Sequence, residues 1–138
     1  MYHGVPHTIA ERLRLQGADV RYAGENAGKM FGAGIYLATN ASKADIYTTA
    51  NDAGERCTFI MRACLGEVHE TKVAMQTVTR APERADQKGP LDSVRAIVIA
   101  DGGAVEHPEF IVYKDNQVLP EYLMTYKHRQ SCKCTHCA

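Results

Sequence analysis

The stretch whose reading decides the fold is MFGAGIYLATNASKADIY, residues 30–47. Gly32 and Gly34 mark a bend, and GIYLA after them is a short run of strand formers. NASKADIYTTA then reads as a helix opened by Asn40 as its N-cap. Tyr36 therefore sits on a strand and Tyr47 on the helix behind it. Such a strand-to-helix passage can bring two phenol rings to one cleft, as facing plates or edge to face. The other reading is a pair of ordinary half-buried tyrosines, and the rings alone leave both open.

Toward the N-terminus, TIAERLRLQ (8–16) predicts a short helix. Thr8 and Glu11 have capping-box spacing, Ile9 and Leu13 share a face, and Gly17 suits the position after the last turn. The glycine-rich run from Gly17 to Gly34 lacks periodicity and reads as an irregular loop. Toward the C-terminus, CTFIMRACLGEVHE (57–70) is rich in strand formers and predicts one long strand, or two broken at Gly66. Residues 76–94 combine Pro82, Gly89 and Pro90 with many charges, as a long surface connection would. RAIVIA, FIVYK and EYLMTY are further strand candidates, parted by DGG and by DNQVLP. Strands dominate, two short helices lie near the front, and no βαβ rhythm is present. The predicted class is α+β with mainly antiparallel pairing.

The chain has 138 residues, a single-domain length with room for a true core. Sixteen basic residues balance sixteen acidic ones, which argues against a life spent on nucleic-acid backbones, where an excess of Lys and Arg is needed. No apolar run reaches the length of a membrane span. The opening Met1-Tyr2-His3-Gly4 is not a signal peptide, and five cysteines are an odd number for a disulfide framework. An intracellular, reducing setting in nucleus or cytoplasm is the expectation. The segment HRQSCKCTHCA (128–138) forms a separate Cys-rich tail after a domain at 1–127. Cys132, Cys134 and Cys137, with His128 or His136, make an incomplete zinc set whose spacing matches no structural zinc pattern. The tail reads as frayed and reactive, and no metal ligand is assigned. His7, His69, His107 and His128 read as surface or loop residues.

Four blocks, taken together, go further: YHG at the start, FGAGIYLA, SKADIY, and HPEFIVYKDNQVLPEYLMTY near the end. In this order they resemble the catalytic domain of the poly(ADP-ribose) polymerase family of ADP-ribosyltransferases. The likeness runs over residues 2–127 and is similar to tankyrases at MFGAGIY, though the zinc-binding insertion seen there is missing. It implies an ADP-ribosyltransferase fold, with antiparallel strands in two packed sheets, short helices and an NAD cleft between them. It also implies NAD as the ADP-ribose donor, with protein side chains as acceptors. No nucleic-acid or membrane partner is expected, and the oligomeric state stays open.

Carried across residue by residue, the resemblance implies that Gly4 holds the nicotinamide carboxamide through its backbone. Tyr47 would stack on the nicotinamide ring and Tyr36 would close the pocket. His3 would bind ribose hydroxyls, and Glu109 would be the catalytic acid residue, with His3 and Tyr36 completing the catalytic set. Gly32 and Gly34 would let the backbone approach the ligand. The loop from Gly17 to about Lys29 would flank the diphosphate and adenosine. Glu109 is compatible with polymer extension as well as single transfer.

Two positions depart from the family pattern. Val5 follows His-Gly where Thr or Ser is usual, and Ala44 replaces a serine that would bind the carboxamide. Ser42 is the residue expected to compensate. Each lost hydrogen bond is worth on the order of 1 kcal/mol. The strand bearing His3 has just two residues before it, which leads to the expectation of a fragment or of a natural minimal version. The implied activity is transfer of ADP-ribose from NAD to protein, as single units or polymer. The alternatives are a catalytically weak NAD- or ADP-ribose-binding module and a toxin-like NAD-hydrolysing enzyme.

Overall fold

The computed structural model describes residues 1–22 and 29–134. Seven strands and two α-helices occur among them: β1 (Tyr2–Gly4), α1 (His7–Gln16), β2 (Ile35–Ala38), α2 (Ala41–Asp45), β3 (Arg56–Ala63), β4 (Val68–Thr71), β5 (Ser93–Ala96), β6 (Glu109–Val112) and β7 (Val118–Tyr126). The α+β class is as expected. No helix among the described residues is long and apolar enough to cross a membrane.

The strands form one sheet in the order β4-β5-β6-β2-β1-β3-β7. All neighbours are antiparallel except β4 and β5, which run parallel. The expected pair of packed sheets is thus replaced by one continuous ladder. Its centre is thin, however, because β1 and β2 share a single register pair, Tyr2 with Ala38. Two half-sheets meet at that seam, and two clusters back them, the first drawing on strands from both halves. Leu37, Phe59, Met61 and Val112 centre one cluster, and α1 adds Ala10 and Leu13 to it. Phe31, Val94, Ala96 and Ile111 centre the other. Burial of such side chains at roughly 25 cal/mol per Å² of apolar area is what holds the halves together.

Local departures from the sequence reading have local causes. Pro6 occupies the N-cap of α1 and no side chain caps it. The Thr8–Glu11 capping box is not formed, and Glu11 binds Arg14 instead, at 2.6 Å. The first free N–H of the helix, on His7, goes to the Thr49 hydroxyl at 3.2 Å. Gly17 does end the helix, with φ +77°. α2 is capped by Asn40, which accepts from the Lys43 N–H at 2.9 Å, as expected. It stops after five residues, so Tyr47 lies on the turn behind the helix rather than on it. The long run at 57–70 breaks between Ala63 and Val68, around Gly66 at φ +55°. β7 begins earlier than EYLMTY and takes in Pro120, which an edge strand tolerates because no further strand needs its missing N–H. β5 starts at Ser93 and ends at Ala96, before IVIA.

One side chain ties the loop ends of both half-sheets. The Gln117 amide donates to the carbonyls of Asp92 (2.7 Å) and Cys64 (3.3 Å), and its oxygen accepts from the Tyr113 and Lys114 N–H groups. These bonds fix the β6–β7 turn against the ends of β3 and β5.

Candidate active site

The seam between β1 and β2 opens into a cleft whose walls come from β1, α1, β2, α2 and β6. His3, Gly4, Val5, Gly34, Tyr36, Ala44, Tyr47 and Glu109 line it, together with Arg12, Leu13 and Tyr22 from the α1 side. Its enclosed volume of about 140 Å³ lies below the roughly 300–1,000 Å³ of pockets that engulf a drug-sized ligand. The enclosed part therefore suits one ring, with the rest of a longer ligand lying along the open side.

Gly4 explains how α2 reaches the cleft. A Cβ on Gly4 would stand 1.8 Å from the Ala44 carbonyl oxygen. Helix α2 thus packs directly on the β1 backbone, which is feasible only without a side chain there. Ala44 is 2% exposed as a result. Gly32 has φ +79°, and a Cβ on it would meet the Val78 carbonyl at 2.0 Å. The glycines of the bend are required first by packing within the chain. Of the two, Gly34 lines the cleft and Gly32 is set back from it.

Tyr36 is held at both ends of its hydroxyl. It donates to the Gly32 carbonyl at 2.9 Å and accepts from the Phe31 N–H at 2.9 Å. Burial, with Glu109 and Tyr47 nearby, pushes this phenol up to about 12 despite the Phe31 bond, so it stays a neutral donor. The Tyr36 carbonyl faces His3 Nδ1 at 2.8 Å. A carbonyl can only accept, so Nδ1 carries the proton and Nε2 of the neutral ring is an acceptor. Burial lowers the His3 pKa, against the opposing pull of the Tyr36 carbonyl, which keeps the ring neutral.

Glu109 begins β6, in register with Ala38 of β2 and Ala96 of β5. It is 5% exposed, and a buried carboxylate needs a partner. Lys43 provides one, with Nζ 3.2 Å from Oε1. The same ammonium stands 5.3 Å from the centroid of the Tyr47 ring, within cation–π range. Burial opposes the charge on Lys43, but the Tyr47 hydroxyl and Glu109 outweigh it, and its pKa is raised.

The structure brings His3, Gly4, Gly34, Tyr36, Tyr47 and Glu109 to one cleft. Ser42 is elsewhere: it is exposed, its hydroxyl bonds Asn40 Oδ1 at 3.2 Å, and it lines a neighbouring depression with Asp45 and Tyr126. The expected compensation for Ala44 is absent because successive helical side chains point in different directions. Of the loop expected to flank the diphosphate, from Gly17 to Lys29, residues 23–28 lie outside the described residues, while Gly17, Ala18, Asp19 and Tyr22 line the cleft. Two charged groups escaped the sequence reading. Lys43 was within the SKADIY block, where its partner could not be seen. Arg12 lies on α1 with its guanidinium 3.7 Å from the Tyr22 ring centroid, at the cleft wall.

A family model described as the poly(ADP-ribose) polymerase catalytic domain matches residues 1–128. The chain is similar to the human protein mono-ADP-ribosyltransferase PARP14, with 26% identity over 130 residues, covering 92% of the chain and 7% of that protein. It is similar also to mouse protein mono-ADP-ribosyltransferase PARP10, with 25% identity over 134 residues, covering 93% of the chain and 13% of that protein. The chain thus spans a small part of the length of either relative.

Proposed function

The chain belongs to the poly(ADP-ribose) polymerase catalytic-domain family, and from that premise we propose that it transfers ADP-ribose from NAD to protein side chains. The observation that supports this most is the convergence of His3, Tyr36, Tyr47 and Glu109 on one cleft from β1, β2, the turn after α2, and β6. The nicotinamide ring would lie in the enclosed part, stacked on Tyr47, an interaction worth roughly 1–3 kcal/mol by analogy with bases on aromatic platforms. The Gly4 backbone would bind its carboxamide. His3 Nε2, as acceptor, would take a hydrogen bond from a ribose hydroxyl. Arg12, which lines the cleft from α1, would be the cation to meet the diphosphate.

The chemistry asks for little acid catalysis. Breaking the bond between nicotinamide and ribose discharges the positive pyridinium, so the leaving group departs neutral. The centre left behind is oxocarbenium-like, as in glycoside hydrolysis. A carboxylate aimed at it lowers the barrier electrostatically, and Glu109 is the acid in the cleft. Its second task is to orient or deprotonate the incoming hydroxyl or carboxylate nucleophile. Lys43, with Nζ 3.2 Å from Oε1, holds the carboxyl group in place without a ligand.

Val5 and Ala44 favour a second reading, a module that binds NAD or ADP-ribose with weak or no turnover. Val5 is 6% exposed and packs in the core, and Ala44 offers no hydroxyl. Incubation of the purified chain with NAD, followed by intact-mass spectrometry and nicotinamide assay, separates the two. Added ADP-ribose masses with nicotinamide release support transfer, and their spacing tells single units from polymer. Saturable NAD binding without either product supports the binding module, and release of nicotinamide and free ADP-ribose with no mass added to the chain would indicate hydrolysis.

A further inference from the structure

We propose that His128, Cys132 and Cys134 form a metal site of the zinc class behind the cleft, where the chain leaves β7. One ligand atom from each residue lies within 4.8 Å of the others. A turn closed by the Cys132 N–H on the Arg129 carbonyl, 2.9 Å, folds the tail back to make this possible. Cys134 Sγ stands 3.3 Å from His128 Nδ1. Sulfur and nitrogen sharing one tetrahedral zinc, with bonds of about 2.3 and 2.0 Å, are about 3.5 Å apart. The observed pair is close to that edge. Two thiolates and an imidazole select zinc-like ions over magnesium or calcium, which prefer oxygen.

The second observation is the other face of the imidazole. His128 Nε2 meets Asp45 Oδ1 at 2.9 Å. A carboxylate only accepts, so Nε2 carries the proton and Nδ1 turns its lone pair toward the sulfurs. Carboxylate–imidazole pairing of this kind orients histidines for a metal. Asp45 is itself fixed, because the Tyr126 hydroxyl donates to the same oxygen at 2.5 Å, and Thr58 Oγ1 is 3.2 Å from that hydroxyl. His128 is thus a loop residue, as the sequence suggested, but one that is half-buried and oriented. The fourth position of a tetrahedral zinc with three protein ligands is one that water can fill.

Asp45 is the last residue of α2, the helix that carries Lys43 and Ala44 to the cleft. An ion at this site would join the tail to that helix through His128. None of the three ligands lines the cleft, so the proposal stands whatever reaction the cleft performs.

The test uses the full chain, purified with zinc and a thiol reductant, then desalted and measured for bound metal. Close to one equivalent is expected, and exchange with cobalt(II) should give intense tetrahedral d–d bands with thiolate charge transfer. Cys132→Ser and Cys134→Ser should abolish that spectrum while far-UV circular dichroism shows the fold retained. Asp45→Asn should weaken zinc about 10–100-fold with the ligands intact. A chain that emerges free of metal after zinc loading, or a Cys132→Ser/Cys134→Ser double variant that binds as the parent does, overturns the proposal.

Discussion

The Lys43 ammonium sits 3.2 Å from the Glu109 carboxylate, joining α2 to the first residue of β6 inside the cleft. Lys43 pairs with the one buried acid that the chemistry needs and stands on the helix whose following turn presents Tyr47.

Replacing Lys43 with Met should therefore cost both stability and activity. Removing one partner of a largely buried pair leaves the other uncompensated, a loss typically of about 3–5 kcal/mol, tempered here by the partial exposure of the lysine. Urea denaturation should show a lower midpoint, by the equivalent of about 2 kcal/mol. A midpoint unchanged from the parent would mean that the pair contributes nothing.

Glu109→Gln keeps the shape and removes the charge. Transfer should fall by two orders of magnitude or more, roughly the loss when one electrostatic group is taken from a transition state, while NAD affinity stays within a few-fold. Calorimetric binding alongside the transfer assay checks this. Transfer at the parent rate would remove the carboxylate from the mechanism.

Ala44→Ser should help. The position borders the cleft and is packed on Gly4, and one net hydrogen bond to the carboxamide is worth about 1 kcal/mol, or about fivefold in affinity. Tighter NAD binding with an unchanged melting temperature is the expected pair of results. Ser42→Ala, by contrast, should leave NAD binding unchanged, since that hydroxyl faces Asn40.

Gly4→Ala should be the most damaging small change. Its Cβ would fall 1.8 Å from a backbone oxygen, with no flexible side chain able to yield. Helix α2 must lift off β1, and a loss of more than about 2 kcal/mol is expected, in the upper range for single substitutions. The midpoint of thermal unfolding measures it.

His3 gives the pH dependence. Its folded pKa is lowered, below the value of about 6.5 that it takes when unfolded. Between these two values the unfolded chain binds more protons, so stability falls as pH drops through that window and is flat above it. Melting temperature measured from pH 8 to pH 5 should decline below about pH 6.5, and His3→Asn should flatten that decline. Ligand binding should weaken only at lower pH, where the folded ring itself takes up a proton, because protonated Nε2 can no longer accept.

Much of the molecule was legible in the chain. Asn40 capped α2, Gly17 ended α1 and Gly66 split β3 from β4, because caps and positive-φ positions are settled by neighbours in sequence. The strand-forming runs became strands for the same reason. The ordered blocks carrying His3, Tyr36, Tyr47 and Glu109 gave the site its members, though the length of α2 and the ends of β5 and β7 were misjudged. Those boundaries depend on what the strand pairs with, not on its composition.

What folding alone decided are the distances across the chain. That Lys43 answers Glu109, that Gly4 is crowded by Ala44, and that Asp45 grips His128 follow from the register of β2 on β6, β1 on β3 and β3 on β7. A one-residue slip in any ladder turns those side chains to the opposite face. Local propensity carries no record of that choice, since register is set by the burial of whole strand faces at once. The sequence names the groups, and the folded sheet sets which of them lie within hydrogen-bond reach.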